Sequence, residues 1–142
     1  MIKLIFFISL TINLISCAQL PTEKKIPSIS DILAEKTQQD GRVCIDKSDI
    51  KGFGTGPFDT LFVDGNRDEY YIITTRLSCF SLDTAFQIGF ESRSYQICGN
   101  RTDSIVTADY KCPIGKIFKL ESRKKAHDLM DEAQAIRESM ME

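Results

Sequence analysis

The chain is 142 residues long, carries 18 basic and 20 acidic residues for a formal charge of −2, and is 42% hydrophobic. That length accommodates one domain plus a targeting segment, and no internal repeat or low-complexity tract argues for more. The charges are evenly scattered, so the clustered basic face that a nucleic-acid partner requires is missing from the pattern.

Met1 to Lys3 form a short positive start, followed from Leu4 to Ile15 by an apolar run interrupted only by Ser9, Thr11 and Asn13. This is signal-peptide anatomy, and the run is too short to cross a hydrocarbon layer, for which about 20 residues are needed. Residues 1–16 are therefore expected to direct export. Leu14, Ile15, Ser16 and Cys17 resemble the lipobox read by the bacterial lipoprotein signal peptidase, which implies an acylated Cys17 as the first mature residue. The competing reading is ordinary cleavage after Ala18, because Ser16 and Ala18 also satisfy the small-x-small rule. Under the lipid reading, Ala18 resembles outer-membrane sorting, with the domain facing the periplasm.

Residues 17–41 read as a tether with a possible short helix. The stretch from 18 to 27 is polar, holds Pro21 and Pro27, and has no apolar period. Ser28 and Asp31 then resemble a capping box, Ile29, Ile32 and Leu33 share a helical face, and Gly41 is placed to end the segment in the left-handed conformation.

From 42 to 120 the chain reads as short strands rich in β-branched and aromatic residues. The candidates are residues 42–46, 60–64, 69–75, 86–91, 94–98, 104–108 and 116–120. Asp64 to Asp68, with Gly65 and Asn66, has the chemistry of a hairpin turn. Short strands without intervening helices predict a mainly β domain, a small antiparallel barrel or sandwich. Gly89 between Ile88 and Phe90 would let a strand bend or another backbone approach, and Pro113 and Gly115 would turn the chain beside Cys112.

Residues 121–142 change character: Ala126, Leu129, Met130, Ala133, Ile136 and Met140 recur at helical spacing, and Lys124 and Asp128 form a four-apart pair. An amphipathic C-terminal helix that covers an open edge of the β domain is the expectation. A membrane-surface role fits less well, because its polar face is mixed in sign.

With Cys17 set aside, Cys44, Cys79, Cys98 and Cys112 remain, an even number in an exported chain, so two disulfides are expected. Of the three connectivities, Cys79 with Cys98 and Cys44 with Cys112 is preferred, since it nests the shorter loop in the longer. No C-x-x-C pair and a single histidine, His127, leave no pattern for zinc or a redox dithiol.

No constellation specifies a reaction. His127 lies between Ala126 and Asp128 on the predicted helix, where an exposed surface role is expected. Asp64, Asn66 and Asp68 match the opening of a calcium loop, but Glu69 stands where its glycine belongs and Thr75 where its bidentate Glu belongs. Gly52, Gly54 and Gly56 alternate without the Lys-Ser/Thr of a phosphate cradle. Phe53, Phe58, Phe62, Tyr70 and Tyr71 could line a ligand groove, though core filling accounts for them better, because a small barrel needs bulky inward side chains.

Cys44-Ile45, Tyr70-Tyr71, Cys79, Ile88-Gly89-Phe90, Ile97-Cys98 and Cys112-Pro113-Ile114-Gly115 leading to Ile117 together resemble a family of small uncharacterised proteobacterial envelope proteins, a domain of unknown function. The resemblance covers residues 42–120 and implies an exported, cysteine-bridged domain with no assigned activity. Gln87 stands where that pattern has a basic residue. The leading expectation is a non-catalytic envelope lipoprotein, without a cofactor, that meets the membrane through Cys17 and a protein or cell-wall partner through its surface. The rivals are a periplasmic enzyme or inhibitor using carboxylates such as Asp103 and Asp109, and a small-ligand binder built on the aromatic cluster.

Overall fold

A computed structural model describes residues 25–142; the signal segment, Cys17, the cleavage position at Ala18 and the first part of the tether lie outside the described residues. Helix α1 (Ile29–Thr37) begins at Ser28, whose Oγ accepts the Asp31 amide at 3.2 Å and donates to the Asp31 carboxylate at 2.6 Å. The capping pair therefore forms as the spacing predicts. The helix ends earlier than expected, at Gln38 in the left-handed region (φ 56°). Gly41 (φ 77°) serves packing instead, since a Cβ there would stand 2.5 Å from the Lys116 side chain.

Eight strands follow: β1 (Cys44–Asp46), β2 (Gly52–Gly56), β3 (Thr60–Asp64), β4 (Tyr70–Thr75), β5 (Gly89–Glu91), β6 (Gln96–Cys98), β7 (Ser104–Val106) and β8 (Lys111–Leu120). Six of them form one antiparallel sheet in the order β2-β3-β4-β8-β7-β5, and β1 pairs with β6 in a small second sheet. The large sheet curls into a half-barrel, and β2 and β5 remain as edges. The expected mainly β, antiparallel architecture holds, as a curled half-barrel beside a small second sheet.

Three local readings are corrected. Strand β2 falls on the Gly52, Gly54, Gly56 alternation, which propensity argues against; pairing with β3 over Gly52↔Asp64 to Gly56↔Thr60 imposes the strand. The Cys112-Pro113-Ile114-Gly115 step runs straight through β8 and makes no turn. There Gly115 accommodates a bulge, since a Cβ on it would lie 3.2 Å from the Thr74 carbonyl oxygen. At Gly89 a Cβ would find nothing nearer than Val106 at 4.0 Å, so close backbone approach does not explain that glycine.

The disulfide pairing also differs. Cys44 joins Cys98, and Cys79 joins Cys112. Nesting of loops is a statement about sequence distance, whereas register decides: β1 and β6 place Cys44 directly opposite Cys98, with Cα atoms 4.1 Å apart. The second bridge fastens the long β4–β5 loop to the start of β8, its Cα atoms 5.8 Å apart.

Alternation along the strands divides the core between two faces. On one, Leu61, Ile73 and Ile117 stand in cross-strand register and pack with Ile45, Leu82, Ile97, Ile105 and both cysteines of the second bridge. On the other, Phe62, Ile72 and Phe118 stand in register beneath α1 and helix α2 (Arg123–Met141). Ala126, Met130 and Ala133 of α2 are buried there, as their helical spacing predicts, while Met140 stays 38% exposed. Ser122 caps α2 by accepting the Lys125 amide at 3.1 Å. Lys36 of α1 pairs with Glu132 of α2, which fixes two antiparallel helices side by side on the sheet.

Candidate functional site

The expected hairpin Asp64 to Asp68 forms, closed by Gly65 N to Glu69 O at 2.7 Å, with Arg67 and Asp68 at positive φ. Its polar groups serve the scaffold. Asn66 Nδ2 donates to Asp49 at 2.6 Å, Asp64 pairs with Arg123, and Glu69 pairs with Lys119. The Tyr71 hydroxyl donates to Glu69 at 2.8 Å; burial, reinforced by that carboxylate, pushes the phenol well above its ordinary range. Bonds from Lys119 and Tyr71 in turn hold Glu69 below the usual carboxylate range. Among the described residues no group of three or more His, Cys, Asp or Glu side chains converges as a metal site.

The two carboxylates considered for catalysis are separate. Asp103 is buried and accepts the Cys98 amide at 2.8 Å, which secures β6 beside its disulfide. Asp109 is exposed in the β7–β8 turn. His127 is exposed on α2, its ring centroid 4.2 Å from that of Phe62. The five aromatics do not share one groove. Phe53 and Tyr71 pack on the first core, Phe62 and Tyr70 on the second, and Phe58 stands 40% exposed at the tip of the β2–β3 hairpin. The small-ligand reading loses its cluster, because strand alternation sends neighbouring aromatics to opposite faces.

What the tertiary structure assembles instead is a groove of about 260 Å³ between the start of α1, the hairpin tip and the beginning of the β4–β5 loop. Ser28, Phe58, Thr75, Arg76, Leu77 and Arg137 contribute to its lining. The Arg137 guanidinium carbon lies 4.8 Å from the Phe58 ring centroid, and its buried Nε has no hydrogen-bond partner. Arg76 donates from Nη2 to the Arg101 carbonyl at 2.9 Å and from its amide to the Pro113 carbonyl at 2.8 Å. Asp59 is the one carboxylate among the lining residues. Such a surface can hold a polar or apolar group by contact; it offers no acid–base pair for chemistry. Sequence reasoning did not single out Arg76, Leu77 or Arg137, since nothing in their spacing relates residues 28, 58, 76 and 137.

Fold and bridges define a small, mainly β, disulfide-bridged domain. A family model described as a family of unknown function (DUF6491) matches residues 1–136, and the chain belongs to that family. No curated protein and no solved structure matches it.

Proposed function

We propose that this protein is a non-catalytic module of the bacterial cell envelope, exported by residues 1–16, anchored through an acyl group on Cys17, and working by contact with a protein or cell-wall partner. The observation that carries the reading is the pair of disulfides, Cys44–Cys98 tying β1 to β6 and Cys79–Cys112 tying the β4–β5 loop to β8. Such bridges persist in oxidising compartments and are rare in the cytosol. The apolar leader and the Leu14-Ile15-Ser16-Cys17 step agree with that compartment. The use of Asp103 to bind a backbone amide further weakens the enzymatic reading.

The test is intact mass of the native protein purified from membranes, joined to in-cell crosslinking and recovery against a tether-only control. A mass that starts at Cys17 with added acyl chains, together with crosslinked partners absent from the control, is the expected result. A chain starting at Met1, or recovery equal to the control, overturns the proposal.

A further inference from the structure

Among the described residues, most of the large exposed apolar side chains gather at one end of the sheet. The β2–β3 hairpin tip, the C-terminal end of β4, the N-terminal end of β8 and the start of β5 lie toward this end by the antiparallel register. It carries Phe58 at 40%, Leu77 at 67%, Phe80 at 84%, Phe86 at 101% and Tyr110 at 67% exposure. The opposite end carries the charged hairpin Asp64–Asp68, the Glu69–Lys119 pair and the Arg123–Asp64 pair; Tyr95, whose carbonyl accepts the Lys47 amide at 3.0 Å close to the Asp49–Asn66 contact, is the exposed aromatic on that side.

These side chains are held outward by a fixed loop. The β4–β5 loop that bears Leu77, Phe80 and Phe86 is pinned by Cys79–Cys112, by Leu82 at 0% exposure and by Thr107 Oγ1 donating to Ser81 at 2.9 Å. Phe58 sits at φ 56°, a conformation that bulky residues rarely adopt, at the hairpin tip. Exposed aromatic clusters held in this way mark a contact surface.

The place where the tether joins the fold indicates what that surface meets. Ser28, at the start of α1, lines the same groove as Arg76 and Leu77. The eight Cα–Cα steps from Cys17 to Lys25 span at most about 27 Å when fully extended. The tether enters the fold at this end, so a lipid on Cys17 would join the chain on the aromatic side rather than the charged one. We propose that the loop of residues 76–88, with Phe58, is a membrane-contacting surface: Phe80 and Phe86 insert at the headgroup boundary and orient the domain on the bilayer. This inference rests on the lipid-anchor reading, which supplies the tether.

The chain has no tryptophan, so Phe86→Trp and Tyr95→Trp each install a single reporter at opposite ends. All four described cysteines are bridged, which leaves Cys17 to be coupled to maleimide lipid in vesicles of 3:1 phosphatidylethanolamine to phosphatidylglycerol, whatever the cell does to it. The chain used is residues 17–142, which contains every element of the fold. Quenching by brominated acyl chains should be strong at position 86, weak at 95, and reduced about tenfold when Phe80→Glu is added. Equal quenching at 86 and 95, or none, overturns the inference, as does a blue shift at 86 that grows with protein concentration without vesicles, which would mark a second copy as the occupant. Thermal stability of each variant separates loss of contact from loss of fold. Strong quenching at 86 in a chain that cells leave unacylated keeps the surface and removes the anchor; acylation without quenching does the reverse.

Discussion

Gly99 packs so closely on Gly41 that a Cβ built on it would overlap the Gly41 carbonyl oxygen and stand 2.8 Å from the Ile117 amide, which itself donates to that carbonyl at 2.8 Å. Between them these backbones join the small sheet to β8, with Gly99 N donating to Val43 O at 3.1 Å and Asn100 N to Gly115 O at 2.6 Å. Gly99→Ala is expected to cost about 3 kcal/mol, because the neighbours are backbone and cannot yield. Urea unfolding of the oxidised protein measures it, and a loss below about 0.5 kcal/mol would show that the two sheets are not locked in this way.

Each disulfide closes a long loop, with sequence separations of 54 and 33 residues. On the chain-entropy account, removing either by a double Cys→Ala change should cost about 4 kcal/mol. Only the Cys79–Cys112 loss should also make the loop of residues 76–88 sensitive to proteolysis in the folded state. A non-reducing peptide map should recover Cys44 with Cys98 and Cys79 with Cys112; any other pairing refutes the register of β1 on β6.

Leu82 is fully buried and, with the second bridge, is what holds Phe80 and Phe86 outward. Truncation by Leu82→Ala is expected to destabilise by about 3 kcal/mol through transfer and cavity terms. Hydrogen exchange should report the loss first within residues 76–88, before the strands open.

Asp31 lies below its ordinary range of ionisation, chiefly through the bond from Ser28, with Lys116 adding to it against an opposing desolvation. A carboxyl whose folded value is depressed contributes stability above its unfolded value and loses it as pH falls through the folded one. The stability gap between the native chain and Asp31→Asn should therefore close as pH is lowered from about 5 to about 2. Tyr71 behaves in the opposite sense at the alkaline side. Its raised folded value gives stability that is complete below the unfolded phenol range and fades as pH rises above it. Phenolate titration should show a late step coincident with unfolding and absent from Tyr71→Phe; a Tyr71 that ionises freely before unfolding contradicts its burial against Glu69.

Much of the local structure was legible in the residues. The Ser28–Asp31 cap, the Asp64–Asp68 turn and the face of α2 built from Ala126, Met130 and Ala133 depend on spacings of three or four residues, which one-dimensional patterns record. Strand β2 was not legible, because Gly52, Gly54 and Gly56 have low strand propensity and the pairing partner across the turn overrides it. Neither was the straight passage of Pro113 and Gly115 through β8, where a neighbouring bulge takes up what locally reads as a turn.

By itself the sequence determined a mainly β chain with four cysteines to bridge, a capped helix before the strands and an amphipathic helix after them, since alternation, capping and helical spacing act between near neighbours. Which cysteine meets which, which aromatics are buried on which face, and that Phe80 and Phe86 share an end of the sheet with Ser28 were decided only by the tertiary structure. Register and curvature bring together residues separated by tens of positions, and the free energy that selects one register over another comes from burying both faces of a twisted sheet at once.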